Sequence, residues 1–350
     1  MIDEAACRAA DLEGWLAPAQ QALIHREGWL RMLAPRACGG AELPLPDVVR
    51  LEQAIAARDG SMGWVVTLCA GALWFAGFLA PERARAIMAT PDVCVAGSGA
   101  PTGYADKEGD GFRITGRWDY ASGAPMATHF TLNAVLRERG QVLLDEAGRP
   151  RIRAFIVPAR HVTVEPTWRS IGLRASASHS YRIDDAWVPA DHGFAIAPEA
   201  ATAPGPLYRF PFMPLAFVTL GANLLGMAQH FLALARPLLT ARRHPATGLA
   251  VVELPAVAAR LANATAAMDT AQCEFYAALD AAWAAAVAGA EVDSVALQRV
   301  ALAMVETCRQ AVDTIYPYCG LQAAHGDSDI NRVWRDFHTA TQHAMLVPAG

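Results

Sequence analysis

The chain has 350 residues, 53% hydrophobic and 18% charged, with a net charge of -5. That is enough for a large core and two or three subdomains, and it gives no basic tract that would point to nucleic acid. Lys107, in the turn-like "DKEGDG", is the only lysine, so Schiff-base and phosphate-loop lysine chemistry has no candidate residue.

The start, "MIDEAACRAADLEGW", is acidic and lacks an apolar run, so no signal peptide is expected, and a cytoplasmic location is. The 7 cysteines (Cys7, Cys38, Cys69, Cys94, Cys273, Cys308 and Cys319) are odd in number and contain no CxxC pair. They are expected to be buried thiols in a reducing compartment, not disulfides or zinc ligands. Residues 1–91 read as an N-terminal helical domain. In 45–60, "LPDVVRLEQAIAARDG", Val48, Leu51 and Ile55 recur at helical spacing, and Gly60 reads as a stop. Pro81 stands where a further helix, "PERARAIMA", would begin. Residues 92–200 change character: "GFRITGRWDY", "RAFIVPA" and "HSYRIDDAWVP" alternate between turn residues, which predicts a compact β-barrel or sandwich. The proline-rich 197–211 reads as a linker. Residues 201–350 read as a helical bundle, with Val257, Leu261, Met268, Phe275, Leu279 and Trp283 forming a core stripe.

Two segments, 60–81 and 210–235, carry no Asp, Glu, Lys or Arg and are long enough to span a bilayer. The first is interrupted by glycines and the second by Pro214, Asn223 and Gln229, so both are expected to be buried helices, with no membrane partner. The string "GSGAPTG" (97–103) has GxGxxxG spacing and is followed by a charged turn, not a helix, so it is not a dinucleotide fingerprint. No HExxH, GxSxG or GxxxxGK[ST] occurs. Near the end, "RVWRDFHTATQHAML" (332–346) reads as a helix carrying His338 and His343. Five residues on a helix turn them about 140° apart, so they cannot share one metal ion, and only one is expected to face a site.

Three stretches in this order, "WLRMLAPRACGGAELPLPDVVRLEQAIAARDGSMGW" (29–64), "WRSIGLRASASHSYRIDDAWVP" (168–189) and "INRVWRD" (330–336), resemble the acyl-CoA dehydrogenase superfamily. The resemblance covers nearly the whole chain. It implies an α+β fold with an N-terminal helical domain, a middle β-barrel and a C-terminal four-helix bundle. It also implies a flavin between the β-domain and the bundle, and a homotetramer. The family's dehydrogenases use a glutamate base, at a position that falls here on Ala344 or, in a minority, near Leu215. No Asp or Glu lies between Glu199 and Glu253 or after Asp336. Without a positioned base, proton abstraction at carbon loses about 10²–10⁴-fold.

"RDFHTATQHA" and "GRWDYASG" (116–123) are similar instead to the superfamily's flavin-dependent monooxygenases, among them aromatic hydroxylases and thiophene-sulfur oxygenases. These take reduced FMN or FAD from a separate NAD(P)H:flavin reductase and oxygenate a small organic substrate with O2 through a flavin hydroperoxide. The resemblance implies catalytic roles for His343 and Ser122 as hydrogen-bond donors at the flavin. It implies flavin contacts for Trp64, Ser98, Gly99, Tyr120 and Gly320. Arg242 or Arg243, in "ARRHPATG", would reach a neighbouring subunit's flavin phosphate. Some members carry a second pocket histidine at the position of Ala72; His129 is the residue that could stand in for it. The rival expectations are a dehydrogenase with an unrecognised base and a flavin-less structural subunit.

Overall fold

Caps and prolines set the first helices. Asp3 accepts from the Ala5 N–H and opens α1 (Glu4–Glu13), and prolines open α2 (Pro18–Arg26) and α5 (Pro81–Met88), where a missing N–H leaves no bond unmade. Between them run α3 (Leu45–Ala56) and α4 (Gly60–Trp74). The computed structural model describes residues 2–347. Gly60 proves to be a start, not a stop. Asp59 caps α4 by accepting from the Met62 N–H at 2.7 Å, and a Cβ at Gly60 would lie 2.8 Å from the Met227 sulfur. A glycine is needed there for close packing, which local sequence patterns do not reveal.

The middle of the chain forms an eight-stranded sheet: β1 (Val95–Glu108), β2 (Gly111–Ala121), β3 (His129–Glu138), β4 (Gln141–Val142), β5 (Ile152–Pro158), β6 (Thr163–Glu165), β7 (His179–Pro189) and β8 (Gly193–Phe194). The order is β6-β7-β2-β1-β3-β5-β8, with β4 beside β3. β1 and β3 run parallel, and the other pairs are antiparallel. β6 and β8 are edges that do not pair, so the expected barrel is an open, curled sheet. Trp118, fully buried, stacks on Tyr181 at 5.4 Å inside it.

The expected linker packs down. It contains α6 (Pro206–Arg209), and Tyr208 and Phe210 are buried, with the Tyr208 hydroxyl donating to the Leu33 carbonyl at 3.1 Å. Then follow α7 (Phe212–Ala241), α8 (Pro255–Val287), α9 (Ser294–Cys319) and α10 (Asp329–Ala340). The expected breaks in α7 do not interrupt it. Pro214 falls in its first turn, where no N–H is needed, and Asn223 is buried and donates to the Thr67 hydroxyl. In the two long apolar spans, Gly60–Phe78 and Phe212–Ala241, 89% and 83% of the residues in an 18-residue apolar window are buried inside the protein. All seven cysteines are free.

Among the described residues the buried hydrophobic side chains form two clusters. One fills the sheet around Trp118, Phe130 and Phe155. The other joins Val48, Leu73 and Trp74 of the N-terminal helices to Leu224, Phe275 and Phe337 of the bundle. The stretches 1–91 and 201–350 therefore share one interior, with the sheet set against it.

That shared interior holds Glu52, wholly buried on α3 and with neither carboxyl oxygen hydrogen-bonded among the described residues. Burial pushes its carboxyl up to about 8 from 4.5. Its folded form holds a proton that its unfolded form releases, so stability present below pH 4.5 is lost as pH rises toward 8. Glu52→Gln cannot ionise. Thermal unfolding should show the variant gaining on the wild type between pH 5 and pH 8; an offset equal at both would show that Glu52 does not titrate this way.

Candidate active site

Four elements enclose a cavity of about 290 Å³: the C-terminal half of α4, the β1–β3 face of the sheet, the first two turns of α7, and the segment after α10. Its walls are largely apolar, with Phe75, Ile196, Phe212, Leu215 and Leu220 among them. Its polar atoms come from Thr67, Ser98, Ser122, Thr131, Asn133, Thr219 and His343. No Asp or Glu lines it among the described residues.

His343 is not on a helix. α10 ends at Ala340, and His343 has extended backbone (φ -62°, ψ 131°) at the start of a short 3-10 turn, 344–346. The two histidines therefore do not share a helix, although they still face different surroundings. His343 lines the cavity and packs edge-on against Trp64, ring centroids 5.8 Å apart. Its Nδ1 accepts from the Met345 N–H at 3.3 Å. The ring proton therefore lies on Nε2. Burial lowers its pKa, so the ring is neutral at pH 7 and Nε2–H is a donor. His338 faces elsewhere: it packs on Trp334 at 4.5 Å and lies 3.1 Å from an Asp313 carboxylate oxygen.

Ser122, 4% exposed at the end of β2, lines the cavity and sits 2.8 Å from the Ser178 hydroxyl. Ser98 and Gly99 line it from β1, whose pairing with β3 is irregular between Ser98 and Gly103. Asn133 holds that irregular stretch by donating to the Gly99 carbonyl at 2.8 Å. A Cβ at Gly99 would meet nothing within 4 Å, so the backbone there is open. Tyr120 is not beside Ser122. Its φ of 69° breaks the strand's alternation, and its exposed ring meets Trp168 edge-on at 6.2 Å. Trp168 walls a second cavity, about 510 Å³, with Arg169, Arg174 and His179.

Arg242 and Gly320 meet each other but not the cavity. The Arg242 guanidinium donates to the Tyr318 carbonyl and lies where a Cβ on Gly320 (φ 74°) would collide with it. From Thr219 to Arg242 the chain climbs about 35 Å along α7. Arg243 is exposed, 3.9 Å from Glu253. Ala72 and Leu215 line the cavity, whereas Ala344 is exposed. His129 is buried away from the cavity, with its Nδ1 3.1 Å from the Thr128 hydroxyl. The sequence reading missed Thr67, Asn133, Phe75 and Phe212. Each lies in a run that reads as ordinary strand or apolar helix, so only the fold reveals that they converge.

Three contacts, the first two buried, tie α10 to the N-terminal helices and to the segment before β7. Asp59 pairs with Arg332 at 2.8 Å, with side chains 3% and 4% exposed. Asp336 accepts from the Leu173 N–H at 2.5 Å, and Arg335 pairs with Asp11 at 2.7 Å. An apolar slot with a few oriented polar atoms, a neutral histidine donor and no carboxylate suits a planar heteroaromatic cofactor and a small apolar substrate.

Comparison with known proteins agrees. Residues 218–348 match the acyl-CoA dehydrogenase C-terminal domain family. A pigment production hydroxylase of a Rhodococcus species is 30% identical over 335 residues, spanning 91% of this chain and 83% of that protein. The oxygenase component of an FADH2-dependent resorcinol hydroxylase from a Rhizobium species is 26% identical over 349 residues, spanning 93% and 83%. In fold, the chain is similar to XiaF from Streptomyces sp., solved with FADH2 and glycerol (TM-score 0.88, 24% identity, covering 97% of this chain and 87% of that one). Fold, cavity and these relatives together define a flavoprotein oxidoreductase. The chain belongs to the acyl-CoA dehydrogenase superfamily, in its branch of two-component flavin-dependent monooxygenases, and its reaction uses reduced flavin and O2.

Proposed function

We propose that the chain is the oxygenase component of a cytoplasmic two-component system. It receives reduced FAD from a separate NAD(P)H:flavin reductase, works as a homotetramer, and oxygenates a small aromatic substrate in the cavity beside Phe75 and Phe212. The observation that carries this reading is the polar set of the cavity: a neutral His343 donor and Ser122, with no carboxylate among the described lining residues. A dehydrogenase needs a base at carbon, and Leu215 stands at the cavity wall while Ala344 is turned to solvent.

The lining fits a flavin. The apolar walls suit the ring faces, and the open backbone at Gly99, with Ser98, Ser122 and Asn133, offers a polar edge. When bound, reduced flavin supplies the electrons that activate O2. With such a group in place, His343 Nε2–H would be the donor available at its reacting edge, with Trp64 holding the ring and Met345 fixing its tautomer. The apolar walls exclude water, which restrains loss of peroxide. Arg242 has no carboxylate partner among the described residues and lies about 35 Å from the cavity along α7, so in this reading it would meet a flavin phosphate only across a subunit boundary. The FADH2-dependent relative supports FAD over FMN, and its description as an oxygenase component supports the separate reductase.

The test is oxygen uptake with chemically reduced FAD and a panel of phenols and indoles. Uptake matched by substrate oxidation is expected. Return of all oxygen as peroxide for every substrate, or bleaching of bound oxidised flavin by an acyl thioester, would overturn the reading.

A further inference from the structure

Behind Ser122 lies a closed series of serine hydroxyls. Ser122 Oγ is 2.8 Å from Ser178 Oγ, Ser178 Oγ is 2.7 Å from Ser176 Oγ, and Ser176 Oγ is 2.7 Å from the Leu173 carbonyl oxygen. The series holds three hydrogen bonds and three hydroxyl protons, and the last acceptor is a carbonyl, which has no proton to give. Only one assignment satisfies it. Ser176 donates to Leu173, Ser178 to Ser176, and Ser122 to Ser178. Ser176 and Ser178, behind Ser122, are 0% and 4% exposed, so the inner two hydroxyls are shielded from solvent and only Ser122 borders the cavity. The sequence-based expectation that Ser122 donates to the flavin is therefore revised: its one proton points away from the cavity and only lone pairs face into it.

The backbone that carries the relay is held firmly. Leu173 and Ala177 both have positive φ, 49° and 45°, conformations uncommon for residues with a Cβ. The Leu173 N–H donates to buried Asp336, and the Gly123 N–H donates to the Ser176 carbonyl at 2.8 Å, tying the relay to the end of β2.

We infer that Ser176 and Ser178 are positioning residues that lock Ser122 as a hydrogen-bond acceptor, and that this lock makes the site select reduced over oxidised flavin. The inference rests on the proposed reading in which the flavin's reactive edge meets Ser122. Reduced flavin carries an N–H at the central ring nitrogen of that edge; oxidised flavin carries a bare lone pair there. A serine that can only accept bonds the first and opposes the second. Freed from the relay, the same hydroxyl can rotate and donate to the second.

The experiment measures dissociation constants of oxidised FAD and, anaerobically, of reduced FAD for the whole protein and its variants. The wild type should bind the reduced form more tightly. Ser178→Ala, and independently Ser176→Ala, should lower the oxidised-to-reduced ratio of constants about fivefold, the size of one ordinary hydrogen bond. The change should come mainly from tighter binding of oxidised FAD, a gain that simple structural damage would not produce. Ser178→Thr keeps a hydroxyl and should restore the ratio. An unchanged ratio in both alanine variants, weaker oxidised-FAD binding in both, or equal binding of the two forms by the wild type would overturn the inference while leaving the monooxygenase reading intact. A wild type that binds neither form would overturn both. If Ser178→Ala does not fold, Ser176→Ala and Ser178→Thr still decide the matter.

Discussion

His343→Ala should lower productive oxygenation by about 10²–10³-fold, the usual loss when one oriented donor is removed from a reacting centre. Flavin binding should persist, because the apolar walls, Ser98, Gly99 and Asn133 are untouched. Oxygen consumption would continue but emerge as peroxide. His338→Ala is the control: that ring packs on Trp334 and pairs with Asp313 outside the cavity, so its loss should change oxygenation little. pH gives a second signature. Burial lowers the His343 pKa below 6.5, so the neutral donor form persists down to acid pH. Protonation then places a hydrogen on Nδ1 and breaks the bond from Met345. Productive oxygenation of the wild type should hold through pH 6.5 and fall only at more acid pH, and the residual activity of His343→Ala should lack that limb. A profile with the same acid limb in both proteins would assign it to another group.

Arg332→Ala should be the most damaging single change to stability. The guanidinium is 4% exposed and is the counter-charge to Asp59, itself 3% exposed. Asp336, whose carboxyl is pushed up to about 7 by burial and by Asp59, is held down in part by the same arginine. Truncating one partner of such a pair costs about 3–5 kcal/mol, because the other charge stays buried without compensation. That is a large share of the 5–15 kcal/mol typical of a folded domain. The double variant Asp59→Asn with Arg332→Met should recover much of the loss. It removes the stranded charge, and an asparagine still caps α4 at the Met62 N–H. Denaturant unfolding of the three proteins checks this; a single variant within about 1 kcal/mol of the wild type would show the pair to be energetically minor.

This network explains why the signatures were readable. Asp59 comes from "ARDGS", Arg332 and Asp336 from "INRVWRD", and Leu173 from "WRSIGLRASAS", and all meet in one buried cluster. Charged residues of that kind stand out in a chain that is 18% charged. The alternating strands and the stripe of α8 were legible because their periodicity is local. The open sheet was not, because closure depends on whether β6 and β8 meet, a long-range fact. The end of α10 was missed because neither Gly nor Pro marks it; the histidine side chain itself caps the next turn. The serine relay was out of reach for a similar reason. "LRASASHS" (173–180) contains no glycine, yet Leu173 and Ala177 adopt the positive φ that aligns its hydroxyls.

The most direct test of the account is a single turnover. Protein loaded with reduced FAD is mixed rapidly with O2, while oxygen loss and the return of oxidised-flavin absorbance are followed together. Two separated phases are expected, with oxygen consumed before the absorbance returns. Their separation should collapse in His343→Ala. Simultaneous oxygen loss and reoxidation in the wild type, in one phase as fast as for free flavin, would contradict it.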